Sequence, residues 1–278
     1  MLPEHAHLAF EPVAGRAPAT LSADQVAHYN QHGYVAPFDV YSPAEAIANR
    51  DYFDRLLAQL EGRDAYSIDC YQARCAGIWD ICTNPRILDL VQDIVGPDIV
   101  CWASHLFCKL PHDPKLVPWH QDAVYWHLAP ARTVTVWLAI DAADERNSAM
   151  EFLPGTHDRG VLAWRKPEAD AVGVLDREII GASDLGAAVS NDLKAGQVSL
   201  HADMLAHGSR PNASDRRRCG LTLRYCPPEV GFTDRSWADG VEPIVCRGKD
   251  RTGTWRHHPR PEGDDVSVKS GPGNFGGN

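Results

Sequence analysis

Several things this chain lacks narrow what it can be. No uninterrupted apolar run approaches the ~18 residues that a helix needs to cross a bilayer. The opening Met1-Leu2-Pro3-Glu4-His5-Ala6-His7 has neither the basic segment nor the apolar stretch of a secretory signal. Basic charge is in deficit: 27 Lys and Arg face 37 Asp and Glu, a formal net charge of −10 that argues against nucleic acid and anionic membranes as partners. The eight cysteines include no CxxC pair, which weakens a structural zinc reading. Cys101 and Cys108 sit in apolar alternation, so the cysteines read as free thiols buried as small hydrophobes. No internal repeat is visible. These absences predict a soluble, cytoplasmic protein, monomeric or homodimeric.

What is present can form a core. At 44% hydrophobic over 278 residues, one domain spanning 1–278 is expected. Residues 1–97 read as mostly helical after an irregular arm. Ser22-Ala23-Asp24-Gln25 is a capping box that opens a helix ending near Gly33. A second helix is predicted from Pro43 to Leu60, with Ile47, Phe53, Leu56, Leu57 and Leu60 at approximate helical spacing and Gly62 as its stop. A third runs from Pro85 to Val95 and stops at Gly96-Pro97.

Strands then dominate residues 98–228: Ile99 to Leu110, Thr133 to Ile140, and shorter runs near 149–153, 187–193, 197–202 and 218–226. Many short strands after several helices predict a mainly β fold with helical additions, an antiparallel sandwich or jelly roll. Residues 157–186 are expected to make a long excursion. The Gly- and Pro-rich tail, 259–278, is expected to be flexible.

The chemistry concentrates in a few residues. Trp119-His120-Gln121-Asp122 supplies an imidazole and a carboxylate two positions apart, which share a face on an extended strand. A second imidazole arrives much later in His207-Gly208-Ser209. Two neutral imidazoles and one carboxylate on one face of an octahedron form the facial triad that holds non-haem Fe(II) and leaves three cis positions open. Arg218 follows His207 by eleven residues, on a strand whose alternation separates it from Arg216 and Arg217. A rival pair, His201 and Asp203, lies too close to His207 to supply the two distant strands a barrel brings together. These two become candidate supports of the ligands.

Four stretches resemble the phytanoyl-CoA dioxygenase family, the Fe(II)/2-oxoglutarate oxygenases that include ectoine hydroxylases. They are Pro118 to Asp122, Thr135 to Asp141, Phe152 to His157, and His207-Gly208-Ser209 through Asn212, Ser214 and Arg218. Together they lie within about residues 98 to 228. One departure is Asn147-Ser148-Ala149-Met150, where the family more often has Asn-Gly and two apolar residues; it is expected to reshape a loop and spare the metal site.

The resemblance implies a double-stranded β-helix (cupin-like) buttressed by the N-terminal helices, with the 157–186 excursion over its mouth. It implies Fe(II) on His120, Asp122 and His207, with 2-oxoglutarate and O₂ as co-substrates. Arg218 would take the far carboxylate of 2-oxoglutarate, a role for a planar fork. Ser209, Thr135, Trp137 and Lys109 are further candidates on that co-substrate, though Thr135 and Trp137 fit the core equally well. Related halogenases replace the carboxylate with a small residue, so Asp122 points to hydroxylation.

The substrate is expected to be a small molecule met by the segment after Asp122, with Gln121, Tyr125 and Trp126, and by the N-terminal region, with Tyr71 and Arg74. Aromatics beside acids suit a small cation and Arg74 an anion, which suggests a zwitterion such as an amino acid derivative or an aminoalkylphosphonate. Packing of Tyr125 and Trp126 at the mouth is the competing reading. No basic patch suited to the phosphates of a CoA thioester is evident. Desaturation, epoxidation or cyclisation at the same site, and a non-catalytic cupin-like metal-binding protein, are the alternatives.

Overall fold

The computed structural model describes residues 8–167, 174–238 and 240–268. A six-stranded antiparallel sheet runs in the order β1 (Tyr34–Asp39), β10 (Gln197–Ala202), β5 (Val134–Ala139), β12 (Arg218–Cys226), β2 (Ile99–Lys109), β14 (Ile244–Arg247). A four-stranded antiparallel sheet runs β3 (Val117–His120), β11 (His207–Ser209), β6 (Glu151–Phe152), β9 (Val189–Ser190). Two ribbons complete the set: β4 (Leu128–Ala129) with β13 (Gly231–Phe232), and β7 (Trp164–Arg165) with β8 (Glu178–Ile179). The helices are α1 (Ala23–His32), α2 (Pro43–Ala58), α3 (Ala76–Cys82), α4 (Pro85–Val95) and the short α5 (Arg235–Ala238). The two larger sheets make the expected jelly roll with an open mouth.

Strand β12 shows how the layers are built. All nine of its residues are buried, because both of its faces are covered. Cys219, Leu221, Leu223 and Tyr225 join the main core, which also takes Phe53 and Leu56 of α2 and Ile87, Leu88 and Val91 of α4. Arg218, Thr222 and Arg224 face the other way, into a cavity between the sheets. Gly220 shares that inward phase, and a Cβ there would lie 2.1 Å from the Trp137 ring. The bare backbone is what lets Trp137 lie flat across the strand.

Local sequence accounts for the helix ends. Both sides of the Ser22/Gln25 capping box are formed, and α1 stops on left-handed Gly33 (φ 82°). A second capping box, Ser42 with Glu45, opens α2 with Pro43 in its first turn. That helix ends at Ala58, two residues short of the expected Leu60, and Ile47 is exposed rather than on its buried stripe. Helix α3 and strand β1 had no counterpart in the sequence reading. α3 has seven residues and no side-chain cap. β1 carries Pro37, tolerable because it is an edge strand with a register shift between Val35 and Phe38.

The tail departs from expectation over its described part. Residues 259–268 are fastened to the helical side. The Tyr52 hydroxyl donates to Asp264 (2.8 Å), the Ala76 N–H to the Gly263 carbonyl (3.0 Å), and Val266 is buried in the main core. Residues 269–278 lie outside the described region. All eight cysteines are free and seven are buried, as small hydrophobes would be.

Candidate metal centre and co-substrate pocket

β3 and β11 pair in a register that sets His207 directly opposite His120, with ring centroids 4.1 Å apart. Glycine at 208 permits this approach, since a Cβ would meet the Val117 carbonyl at 2.9 Å. Asp122 does not share the strand, as the two-residue spacing had suggested. It opens a 3₁₀ turn, Asp122–Val124, which swings its carboxylate back toward both rings. Oδ1 then lies 3.6 Å from His120 Nε2 and 4.0 Å from His207 Nε2. One donor atom from each of the three residues falls within 4.8 Å of the others, and all three residues are buried.

Each ligand is oriented by a neighbour. His120 Nδ1–H donates to the Pro118 carbonyl (2.8 Å) and His207 Nδ1–H to the Leu205 carbonyl (2.9 Å). Both Nε2 lone pairs therefore face the space between the ligands. Asp122 Oδ2 accepts from the Thr135 hydroxyl (3.3 Å). Burial alone would raise the Asp122 carboxyl, but His120 and His207 outweigh it and hold it well below the usual carboxylate range. Burial and the adjacent His120 push His207 well down, toward the neutral form a metal requires. The rival pair separates: His201 lines the same cavity, whereas Asp203 accepts the Thr133 N–H (2.9 Å).

A cationic pocket adjoins the ligands. Arg218 and Lys109 face each other in register on β12 and β2. Arg218 Nε donates to the Ser148 carbonyl (3.0 Å) and its Nη2 to Ser209 Oγ (3.2 Å). Lys109 Nζ donates to the same Ser209 Oγ (2.8 Å), to Ser148 Oγ (3.1 Å) and to the Arg210 carbonyl. Burial and the charge of Arg218 push Lys109 down to about 6. Neither Arg218 nor Lys109 has a carboxylate partner among the described residues. A buried guanidinium and a buried amine held only by neutral oxygens call for an anion. Arg216 and Arg217 are occupied elsewhere, with Asp144 and with Asp141 and Asp54. Ser148 stands at the departure from the family pattern and takes a left-handed backbone (φ 68°), the conformation that glycine meets without strain.

Triad and pocket open onto one cavity, walled by Phe107, Thr135, Trp137, Met150, His201, Thr222 and Arg224 among others. The candidate substrate contacts fall elsewhere. Gln121 spends its amide on backbone, donating to Gly160 and Met204 carbonyls and accepting the Leu162 N–H. Tyr125 donates to the Arg177 carbonyl (3.2 Å), with the Arg177 guanidinium over its ring. Gln121 and Tyr125 thus fasten the 157–186 excursion over the ligands; residues 168–173 of it lie outside the described region. Trp126 stacks edge-on to Trp102 (4.7 Å) behind the cavity. Tyr71 and Arg74 do not reach the cavity: both bind Ser267, and Arg74 also pairs with Asp265. Arg224, on the cavity wall, was missed, although the alternation that singled out Arg218 places it on the same face.

Two histidines and a carboxylate converging beside a buried cationic pocket, on a jelly roll, define a facial-triad centre of the non-haem iron type. Their donor set fits Fe(II), and the pocket fits a dicarboxylate. The profile of the phytanoyl-CoA dioxygenase family matches residues 29–220, and the chain belongs to that family. It is 27% identical to the peroxisomal phytanoyl-CoA dioxygenase of Bos taurus over 55% of this chain and 47% of that one. It is 24% identical to the L-proline trans-4-hydroxylase of Streptomyces griseoviridis, over 54% and 65%. Against the methylphosphonate hydroxylase of Gimesia maris identity is 24%, over 74% and 81%. The match thus spans about half the length of the bovine relative. Among solved structures, the non-haem monooxygenase ThoJ superimposes with a TM-score of 0.71 at 29% identity, covering 86% of this chain and 88% of that one. No helix among the described residues is long and apolar enough to cross a membrane.

Proposed function

We propose that the protein is an Fe(II)- and 2-oxoglutarate-dependent dioxygenase that hydroxylates an unactivated C–H bond of a small polar metabolite, of the amino acid or aminoalkylphosphonate kind. The observation that carries this is the juxtaposition of the triad with Arg218 and Lys109, which have no carboxylate partner among the described residues. When bound, Fe(II) with 2-oxoglutarate and O₂ supplies the oxidant, the substrate gaining one oxygen atom while succinate and CO₂ leave with the other. The chain's own part is binding and enclosure. Arg218, Lys109 and Ser209 take the distal carboxylate, and Thr135 holds Asp122 in place. The described parts of the excursion, held by Gln121 at Gly160 and Leu162 and by Tyr125 at Arg177, shield the ligands from water. An ionised Asp122 occupies the position a halide would need, which favours hydroxylation. The names of the proline and methylphosphonate relatives support a small substrate carrying an oxyanion.

The test is anaerobic reconstitution with Fe(II) and 2-oxoglutarate, followed by oxygen and a metabolite pool. Succinate and a product heavier by one oxygen atom are expected. Absence of both 2-oxoglutarate binding and succinate would overturn the reading in favour of a metal-binding protein without turnover.

A further inference from the structure

Arg224 lies on the same inward face of β12 as Arg218, opposite Thr135 of β5 in the register. It is 7% exposed. Its guanidinium carbon stands 5.1 Å from the Trp126 ring centroid and 5.8 Å from that of Trp102. Those rings supply quadrupole attraction but no hydrogen-bond acceptor. Buried Nε has no partner, and no carboxylate among the described residues forms an ion pair with the group. The charged groups around it are the metal ligand Asp122 and two histidines, His105 and His201, which its charge disfavours as cations. A full positive charge facing a cavity without its counter-ion is costly unless a ligand brings one.

We propose that Arg224 is the specificity-determining anchor of the substrate, binding its carboxylate or phosphonate so that a neighbouring C–H bond is presented to the metal centre. This rests on the dioxygenase reading and deepens it. The two arginines have separate surroundings along the cavity. Six positions of extended strand set their Cα atoms roughly 20 Å apart, with the Arg218 guanidinium tethered to Ser148 and Ser209 and that of Arg224 against Trp102 and Trp126. Arg218 therefore faces the co-substrate end of the cavity and Arg224 the substrate end. The Trp102 and Trp126 rings, set edge to face, pack against the guanidinium and restrict its movement, so that its fork is available to an oxyanion. Trp126 thus enters the site as a positioning residue, behind the contact rather than in it.

The test is anaerobic calorimetry on the Fe(II)- and 2-oxoglutarate-loaded protein, titrating acetate, methylphosphonate and L-proline, with pyrrolidine as the analogue that lacks the oxyanion. Wild type is expected to bind at least one oxyanion saturably and pyrrolidine not at all. Arg224→Gln should weaken oxyanion binding about 10- to 100-fold, and Arg224→Lys by less. Affinity for 2-oxoglutarate should stay within about twofold in both, and the melting temperature of the ligand-free protein should hold or rise, because an uncompensated charge is removed. Any of four results overturns the anchor: no oxyanion binding to wild type, unchanged oxyanion binding in Arg224→Gln, competition between oxyanion and 2-oxoglutarate, or a fall in melting temperature of about 10 °C, which would make Arg224 a strut between the tryptophans. Failure of wild type to bind 2-oxoglutarate would instead sink the dioxygenase reading. Oxyanion binding lost with Arg224→Gln would survive that outcome.

Discussion

At the residue scale, the ligands differ from the other buried histidines in how their ring nitrogens are used. His120 and His207 each commit Nδ1 to a carbonyl two residues back, leaving Nε2 for a metal. His201 has both nitrogens unpartnered and is pushed down to about 4 by burial. His120→Ala, Asp122→Ala and His207→Ala should each abolish Fe(II)-dependent turnover, because each removes one of three protein ligands. If His207→Ala keeps activity while His201→Ala loses it, the distal ligand has been misassigned. Arg218→Lys should raise KM for 2-oxoglutarate roughly thirtyfold, about 2 kcal/mol for a lost fork of charge-assisted bonds. Arg216→Lys and Arg217→Lys should leave KM nearly unchanged, since their partners are Asp144, Asp141 and Asp54.

Lys109 gives a prediction with a defined sign. Its value in the folded protein, about 6, lies below the ordinary lysine value of 10.5, so folding sheds a proton between those limits. The associated destabilisation is complete below about pH 6 and fades as the pH rises toward 10.5. A carboxylate arriving beside Arg218 favours the ammonium, so binding of 2-oxoglutarate near pH 7.5 should take up a proton. Calorimetry in buffers of different ionisation enthalpy reads this directly, and Lys109→Met should abolish the uptake. Buffer-independent heats in wild type would mean that Lys109 is already charged in the free protein.

At the element scale, legibility followed the strength of local signals. Caps and stops placed α1 and α4, because Ser22, Gln25, Gly33, Pro85 and Gly96 each have a backbone task that few residues share. Both α3 and β1 were illegible: one is short and uncapped, the other carries a proline that only an edge position excuses. The metal ligands were legible because two imidazoles and a carboxylate are a recognisable donor set, although Asp122 reaches the site from a 3₁₀ turn and not from the strand its spacing had suggested. Substrate contacts were not, since an aromatic such as Trp126 looks the same in sequence whether it lines a cavity or backs its wall. Arg74 shows the same limit, for nothing local revealed that residues 264–267 return to it.

That return gives an element-scale prediction. Residues 259–268 contribute buried Val266, the Asp264 acceptor for Tyr52, and the Arg260 ion pair with Asp80. Truncation after His258 should cost about 2–4 kcal/mol and lower the melting temperature by roughly 3–7 °C. Affinity for 2-oxoglutarate should persist, because the segment lies on the helical side. A melting temperature within about 2 °C of wild type would show that the docked segment adds nothing to the fold.

At the scale of the whole molecule, the site is an addition to a core that does not need it. The main core joins the outer face of the large sheet to the helices, whereas the ligands stand on its inner side and on the smaller sheet. Metal should therefore stabilise an already folded chain by mass action. At one hundred times the dissociation constant the gain is about 2.7 kcal/mol, or roughly 5 °C for a chain of this size. Thermal unfolding with Ni(II) or Co(II) in place of Fe(II) avoids oxidation and reads the linkage without turnover. Wild type should gain that shift, and His207→Ala should lose it while unfolding cooperatively near the metal-free wild-type temperature. Adding 2-oxoglutarate should raise the temperature further only when metal is present, because the diacid draws on both the open metal positions and Arg218. An equal 2-oxoglutarate shift without metal would place the diacid on Arg218 and Lys109 alone. A His207→Ala variant that cannot fold would show that the ligand histidine belongs to the core after all.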